Sequence, residues 1–334
     1  MTTTPKLAGA AVLAVLALAG CGGSSTKGSA PAGAEGGNIR LVAYSTPREA
    51  YAKLIDLYRR GAGEGVSFQQ SYGASGEQSR AVEAGLRADV VAFSLEPDMT
   101  RLVESGVVAT DWNAGEHKGM VSDSVVVFMV RKGNPKGIKT WDDLTKDGVE
   151  VLTPNPFTSG GARWNVMAGY GAQLEQGKTP EQARDYLKAL FANVVVQDKS
   201  ARESLTTFAS GKGDVLLGYE NEAIFARRQG QPLEYVVPDQ TILIENPAAI
   251  TEDANGAAKG FLDFLVTDEA QKVFGDQGYR PVVKSVLDTF DFPTPPGLFT
   301  IADVGGWETV QKEFFDREKG FMADVQRELG QPTE

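Results

Sequence analysis

The chain has 334 residues, 42% of them hydrophobic, enough to bury a sizeable core and, by length, to make about two domains. Charged residues make up 23% and aromatics 9%, a globular rather than a disordered balance. The formal net charge of -11, with no basic patch in view, argues against a nucleic-acid partner, but it leaves open a small anion held by local dipoles.

In chain order, the first element is an export signal. Lys6 is the only charge among the first twenty residues, and the apolar run from Leu7 to Gly20 is too short to span a membrane but fits a signal-peptide core over residues 1–20. The run ends in Leu18-Ala19-Gly20-Cys21, which resembles a bacterial lipobox. That resemblance implies cleavage before Cys21 and lipidation of its thiol. Cys21 is the only cysteine, so the exported protein has no internal disulfide. The low-complexity stretch GGSSTKGSAPAGAEGG completes a flexible linker over 21–37 between lipid anchor and folded body. Acyl chains hold such a protein at a membrane surface at about 0.8 kcal/mol per buried methylene.

From Asn38 the pattern alternates between strand and helix. IRLVAYS, VSFQQSYG and ADVVAFS read as strands. REAYAKLIDLYRRG, SGEQSRAVEAGL and PDMTRLVESG read as helices, the second with Ser75 as its expected cap and the third opened by proline. The longer run SDSVVVFMVRKG follows, then the strands VEVLTPN, NVVVQ and DVLLGYE, each before a helical stretch. LEYVVP and TILIENPAAI stand back to back, two helices follow, and the tail GWETVQKEFFDREKG is helical again. The charge pairs in DREKGFMADVQRE suggest an exposed terminal helix. Repeated β–α alternation predicts an α/β fold with a mostly parallel sheet. The two long β runs bracket a middle block, which predicts one lobe from 38–126 with 239–330 and a second from 127–238.

Four strand-to-helix junctions share one character: YSTPRE (44–49), YGASGEQ (72–78), NPFTSGGARW (155–164) and QDKSARES (197–204). Each places small or hydroxyl residues where, in open α/β sheets, ligands bind. A helix N-terminus carries free N–H groups and about half a positive charge, and so attracts anions. Glycine lets the backbone approach a ligand closely. A lone Ser or Thr at such a place is more often an ordinary N-cap, but four junctions divided between two lobes favour an anion cleft. No P-loop spacing is present. Glu220 and Glu222 read as first-turn acids that suit the helix dipole. With a single histidine, His117, and no cysteine beyond Cys21, neither a metal site nor a Ser-His-Asp triad is expected, and no cofactor is implied. Trp164 and Trp307 read as packing residues rather than stacking platforms.

Together, TPNPFTSGGARWN, SYGASGEQ, VRKGNPKGIKTWDDL, DVLLGYENEA, GYRPV and FTIADVGGW resemble the periplasmic sulfate-binding proteins, the substrate-binding subunits of ABC-type sulfate/thiosulfate importers, from about Arg40 to Phe315. The resemblance implies a two-lobed periplasmic-binding-protein fold (Venus flytrap, type II). It implies a desolvated sulfate in the cleft, held by hydrogen bonds alone, and a closed form that docks on a membrane permease. Carried over residue by residue, it implies ligand contacts at Ser45, Ser75, Ser159, Gly160, Gly161 and Ala201. The family's last contact is a tryptophan indole, and Tyr219 stands at that position here. A phenol also donates, with a different reach and direction. Thr158, Arg163 and Arg202 fall into supporting places, the arginines either bonded behind the ligand or solvated on their helices.

None of these contact positions is Asp or Glu. An all-donor site suits sulfate, which has no proton at neutral pH, better than phosphate, which would need an acceptor; an unpaired buried group costs about 1–3 kcal/mol. The expectation is a lipid-anchored, monomeric receptor on the extracytoplasmic face, in the periplasm or at the outer surface. It binds sulfate, or alternatively thiosulfate, molybdate or phosphate, for an ABC importer. An enzyme acting on sulfate or phosphate esters is the reading from another class, and it lacks a nucleophile, a metal or a general base near the TSGG turn.

Overall fold

The computed structural model describes residues 37–333. The expected signal segment, Cys21 and nearly all of the linker lie outside the described residues. The body opens with β1 (Asn38–Tyr44), α1 (Arg48–Arg59), β2 (Ser67–Gly73), α2 (Ser75–Glu83), β3 (Val90–Ala92) and α3 (Glu96–Glu104). The long strand β4 (Met120–Arg131) leads to β5 (Val151–Leu152), α4 (Gly160–Glu175), α5 (Pro180–Ala192), β6 (Val194–Val196), α6 (Ala201–Ala209), β7 (Val215–Tyr219), α7 (Glu220–Arg228) and β8 (Leu233–Val236). A second long strand, β9 (Gln240–Ile250), is followed by α8 (Ala257–Leu265), α9 (Asp268–Asp276), α10 (Lys284–Leu287), β10 (Gly297–Phe299), α11 (Gly306–Phe314) and α12 (Phe321–Glu328).

The strands are ordered β2-β1-β3-β9-β4-β7-β5-β6, with β10 beside β9 and β8 beside β4. Two parallel groups, β2-β1-β3 and β7-β5-β6, are joined by the antiparallel strands β9 and β4. Each joining strand serves both groups. Met120–Val125 of β4 pairs with β9, with a register shift between Met120 and Ser122, while Val126–Val130 pairs with β7; β9 pairs with β4 over Leu243–Pro247 and with β3 over Ala248–Ile250. This is the two-lobed type II architecture. The central strand β4 is buried along Val125–Val130, so its run VVVFMV is continuously apolar rather than alternating.

The central helix α4 is buried almost all round, which its small and apolar residues allow. Trp164 on α4 meets Trp307 on α11 edge to face, with centroids 4.7 Å apart, and Tyr170 meets Phe314 in the same way at 4.8 Å. The C-terminal helices therefore pack on the middle block, which the grouping of 239–330 with the first lobe does not anticipate. The terminal helix is not the exposed one its charges suggest: Met322, Ala323, Val325 and Gln326 of α12 are buried, and the Arg327–Asp324 ion pair lies on its outer side.

Candidate functional site

Six strand-to-helix turns converge on one small cavity of about 10 Å³. Ordinary organic-ligand pockets run to about 300–1,000 Å³, so the space excludes an organic ligand of that size. The turn after β1 contributes Tyr44, Ser45 and Thr46; the turn after β2 contributes Ala74 and Ser75; the end of β3 contributes Ser94. From the other lobe come Ser159, Gly160 and Gly161 at the start of α4, Ser200 and Ala201 at the start of α6, and Tyr219 at the end of β7. All seven contact positions from the sequence, Ser45, Ser75, Ser159, Gly160, Gly161, Ala201 and Tyr219, lie in this wall. Tyr44, Thr46, Ser94 and Ser200 join them. Ser94 sits in FSLEP between a strand and a helix, a fifth junction of the same kind as the four recognised in the sequence.

The wall consists mainly of helix starts. Ser75, Gly160 and Ala201 are the first residues of α2, α4 and α6, so their N–H groups have no intrahelical acceptor and point out of the helix end. These helices are held close together. A Cβ on Gly161 would lie 3.5 Å from Ala201 Cβ and 3.4 Å from Tyr219 Cε1, and one on Gly76 would lie 3.2 Å from Thr158 O.

The hydroxyls divide into committed and free. Ser75 is not the cap of α2. Ala74 holds that position in an extended conformation, and Ser75 Oγ donates to Asp98 Oδ2 at 2.6 Å while accepting from Ser94 N at 2.9 Å. Ser75 thus offers the cavity its N–H rather than its hydroxyl proton. Ser200 is a true cap: its Oγ accepts from Glu203 N, and Glu203 accepts from Ser200 N. Ser159 makes no cap bond with its side chain, although it is the N-cap of α4. Tyr219 Oη shares a 2.6 Å hydrogen bond with Ser94 Oγ across the cleft, and burial pushes its phenol well above the ordinary range, so it stays protonated.

The charged neighbours are engaged behind the wall. Arg202 Nη2 donates to Thr46 O and, with Nη1 and Nε, forks onto Glu49 and Glu222 at 2.8–2.9 Å. Burial works against its charge, but Glu222 and Glu49 outweigh it and raise the guanidinium pKa. Arg163 is buried, donates to Pro156 O and Gln311 Oε1, and is held down to about 10 by burial. Thr158 Oγ1 donates to Lys199 O at 2.7 Å and so ties the α4 turn to the α6 turn. Glu220 and Glu222 are more than first-turn acids. Both are buried, paired with Arg280 and Arg202 respectively. No carboxylate lines the cavity among the described residues; the nearby Asp98 is occupied by Ser75 and Arg101. A larger groove of about 460 Å³ lies beside Arg40 and Arg87, but Arg40 Nε, Nη2 and backbone N–H donate to Asp89.

A two-lobed body with a small cavity between helix starts defines the class: a solute-binding protein. Residues 39–280 match the model of the bacterial extracellular solute-binding protein family. The sulfate-binding protein of Synechococcus elongatus is 40% identical over 331 residues, 95% of this chain and 94% of that protein. The thiosulfate-binding protein of Pseudomonas aeruginosa is 34% identical over 291 residues, 82% of this chain and 88% of that protein. Among solved structures, the sulfate-binding protein SubI from Mycobacterium tuberculosis matches with a TM-score of 0.81 and 44% identity, covering 84% of this chain and 99% of that one. The chain belongs to the bacterial extracellular solute-binding protein family, among relatives named for binding sulfate or thiosulfate.

Proposed function

We propose that the protein is an extracytoplasmic receptor that captures sulfate in this cavity and delivers it to an ABC importer. The supporting observation is the composition of the wall: helix-start amides and hydroxyls from both lobes, with Arg202 and Arg163 bonded elsewhere and, among the described residues, no carboxylate lining it. Such a wall can solvate a dianion that carries no proton, by hydrogen bonds alone. Ser45, Ser75, Gly160, Gly161 and Ala201 act through N–H groups, Ser159 through its hydroxyl, and Tyr219 through the phenol it shares with Ser94. Thr158, Arg163 and Arg202 hold the turns in place. Because the donors belong to opposite lobes, the anion is fully coordinated only when the cleft is shut, and binding shifts the population toward that state. The relative named for thiosulfate makes thiosulfate the second reading.

The leader and Cys21 complete the reading: a signal peptide removed at Gly20, a lipid on Cys21, and a monomer tethered to the outer side of the membrane by the linker. Among the described residues no helix is long and apolar enough to cross a membrane. The role is capture rather than turnover. Isothermal calorimetry against sulfate, thiosulfate, molybdate and phosphate is the test. A single tight site for sulfate is the expected result, and tighter binding of phosphate than sulfate would overturn it.

A further inference from the structure

Tyr44 ends β1 and forms part of the cavity wall. It is 5% exposed, and its hydroxyl oxygen is sealed from solvent without a hydrogen-bond partner among the described residues. The hydroxyls around it are engaged. Tyr219 Oη is bonded to Ser94 and Ser75 Oγ to Asp98. Thr46 Oγ1 and Tyr279 Oη also lie close enough to bear on its titration; they share a long 3.4 Å contact with each other, and neither meets Tyr44 Oη with hydrogen-bond geometry. A buried phenol left in this way costs about 1–3 kcal/mol, and native interiors rarely keep such a group without a reason. Burial, with Tyr279 and Tyr219 close by, pushes this phenol far above its ordinary range, so it keeps its proton at any physiological pH.

We infer that Tyr44 is an additional hydrogen-bond donor to the bound oxyanion, presented by the same turn that carries Ser45. The inference rests on the reading of the cavity as an oxyanion site. A sealed O–H in a wall of amide donors finds its acceptor when an anion oxygen enters, so the bond exists only in the liganded state and favours it. It also meets a need particular to this chain. The phenol of Tyr219 divides its bonding with Ser94, and Tyr44 brings an uncommitted side-chain donor to the same cavity from the opposite lobe.

The test is Tyr44→Phe in the full chain, a change that removes one oxygen and keeps the ring. Sulfate affinity is measured by calorimetry, and thermal unfolding is followed with and without sulfate. The ligand-free variant is expected to melt at the wild-type temperature or higher, because the unpartnered hydroxyl is gone. Its sulfate Kd is expected to weaken by about tenfold or more, the scale of one hydrogen bond to a charged group. The rise in Tm that sulfate brings should shrink accordingly. A Kd within twofold of wild type overturns the inference, and so does a lower melting temperature of the ligand-free variant, which would mean that the hydroxyl is already bonded without ligand. If the wild-type protein binds none of the four oxyanions, the oxyanion reading itself falls and takes the role of Tyr44 with it.

Discussion

Ser94 and Gly160 approach across the cleft so closely that a methyl group on Gly160 would stand 2.6 Å from Ser94 Oγ and 2.8 Å from its Cβ. Ser94 follows β3 and Gly160 opens α4, so the missing side chain is what allows the two turns to meet. Gly160→Ala is expected to weaken sulfate binding roughly 10- to 100-fold, the scale of overpacking at a tight contact. Gly160→Asp, which adds a negative charge beside the anion, should abolish binding. Circular dichroism should report an unchanged fold in both variants. Sulfate affinity within a few-fold of wild type for Gly160→Asp would remove this turn from the site.

Arg202 joins α6 to α1 and α7 through Glu49, Glu222 and the Thr46 carbonyl. Arg202→Met leaves two carboxylates facing each other without their cation. The expected loss is about 1–3 kcal/mol of stability. That is below the range for a fully buried pair because the Arg202 side chain keeps 22% exposure. Sulfate binding should weaken as well, since Thr46 lies in the cavity wall. Arg202→Lys keeps the charge but loses the fork and should fall between. Urea titrations of the three proteins check the order, and a methionine variant as stable as wild type would contradict it.

Asp123 on β4 stands opposite Glu245 on β9, where the two strands join the lobes. Its Oδ1 is sealed and unpartnered among the described residues. Burial first, and Glu245 second, push the carboxyl up to about 8, with Arg280 pulling the other way. In the unfolded chain the group ionises near pH 4. Between about pH 4 and 8 the folded state therefore holds a proton that the unfolded state has lost, and stability falls as pH rises across that window. Asp123→Asn removes this dependence. Its gain in stability over wild type should be small near pH 4 and largest near pH 8, by about 1 kcal/mol or more, followed as the difference in unfolding free energy across that range. A gain that is flat with pH would show that Asp123 titrates normally.

Cys21→Ala should leave sulfate affinity in the purified protein unchanged and move the protein from the membrane fraction to the soluble extracytoplasmic fraction. Fractionation with an antibody against the body checks this. Membrane association that survives the substitution would exclude the thiol as the anchor point.

The elements that could be read from the residues are those set by local rules. The four turns at 44–49, 72–78, 155–164 and 197–204 follow from strand and helix periodicity with small residues between, and all four reach one cavity. The elements missed between β9 and α11 are short: α10 has four residues and β10 three, too few for a period to register. The burial of α12 was also hidden, because its charged residues dominate the local pattern while Met322 and Gln326 face the other way.

By itself the sequence determined the β–α alternation and which turns carry small and hydroxyl residues, because side-chain periodicity, helix starts and glycine preferences act over a few neighbouring residues. Only the tertiary structure decided what those residues do. Ser75 turns its hydroxyl to Asp98, Tyr219 meets Ser94 from 125 residues away, Tyr44 is left with a sealed O–H, and Glu220 and Glu222 find arginines. Each of these depends on which strands lie side by side in the sheet. A hydroxyl or carboxylate takes the nearest partner in space, and that order of strands is written in no local stretch of the chain.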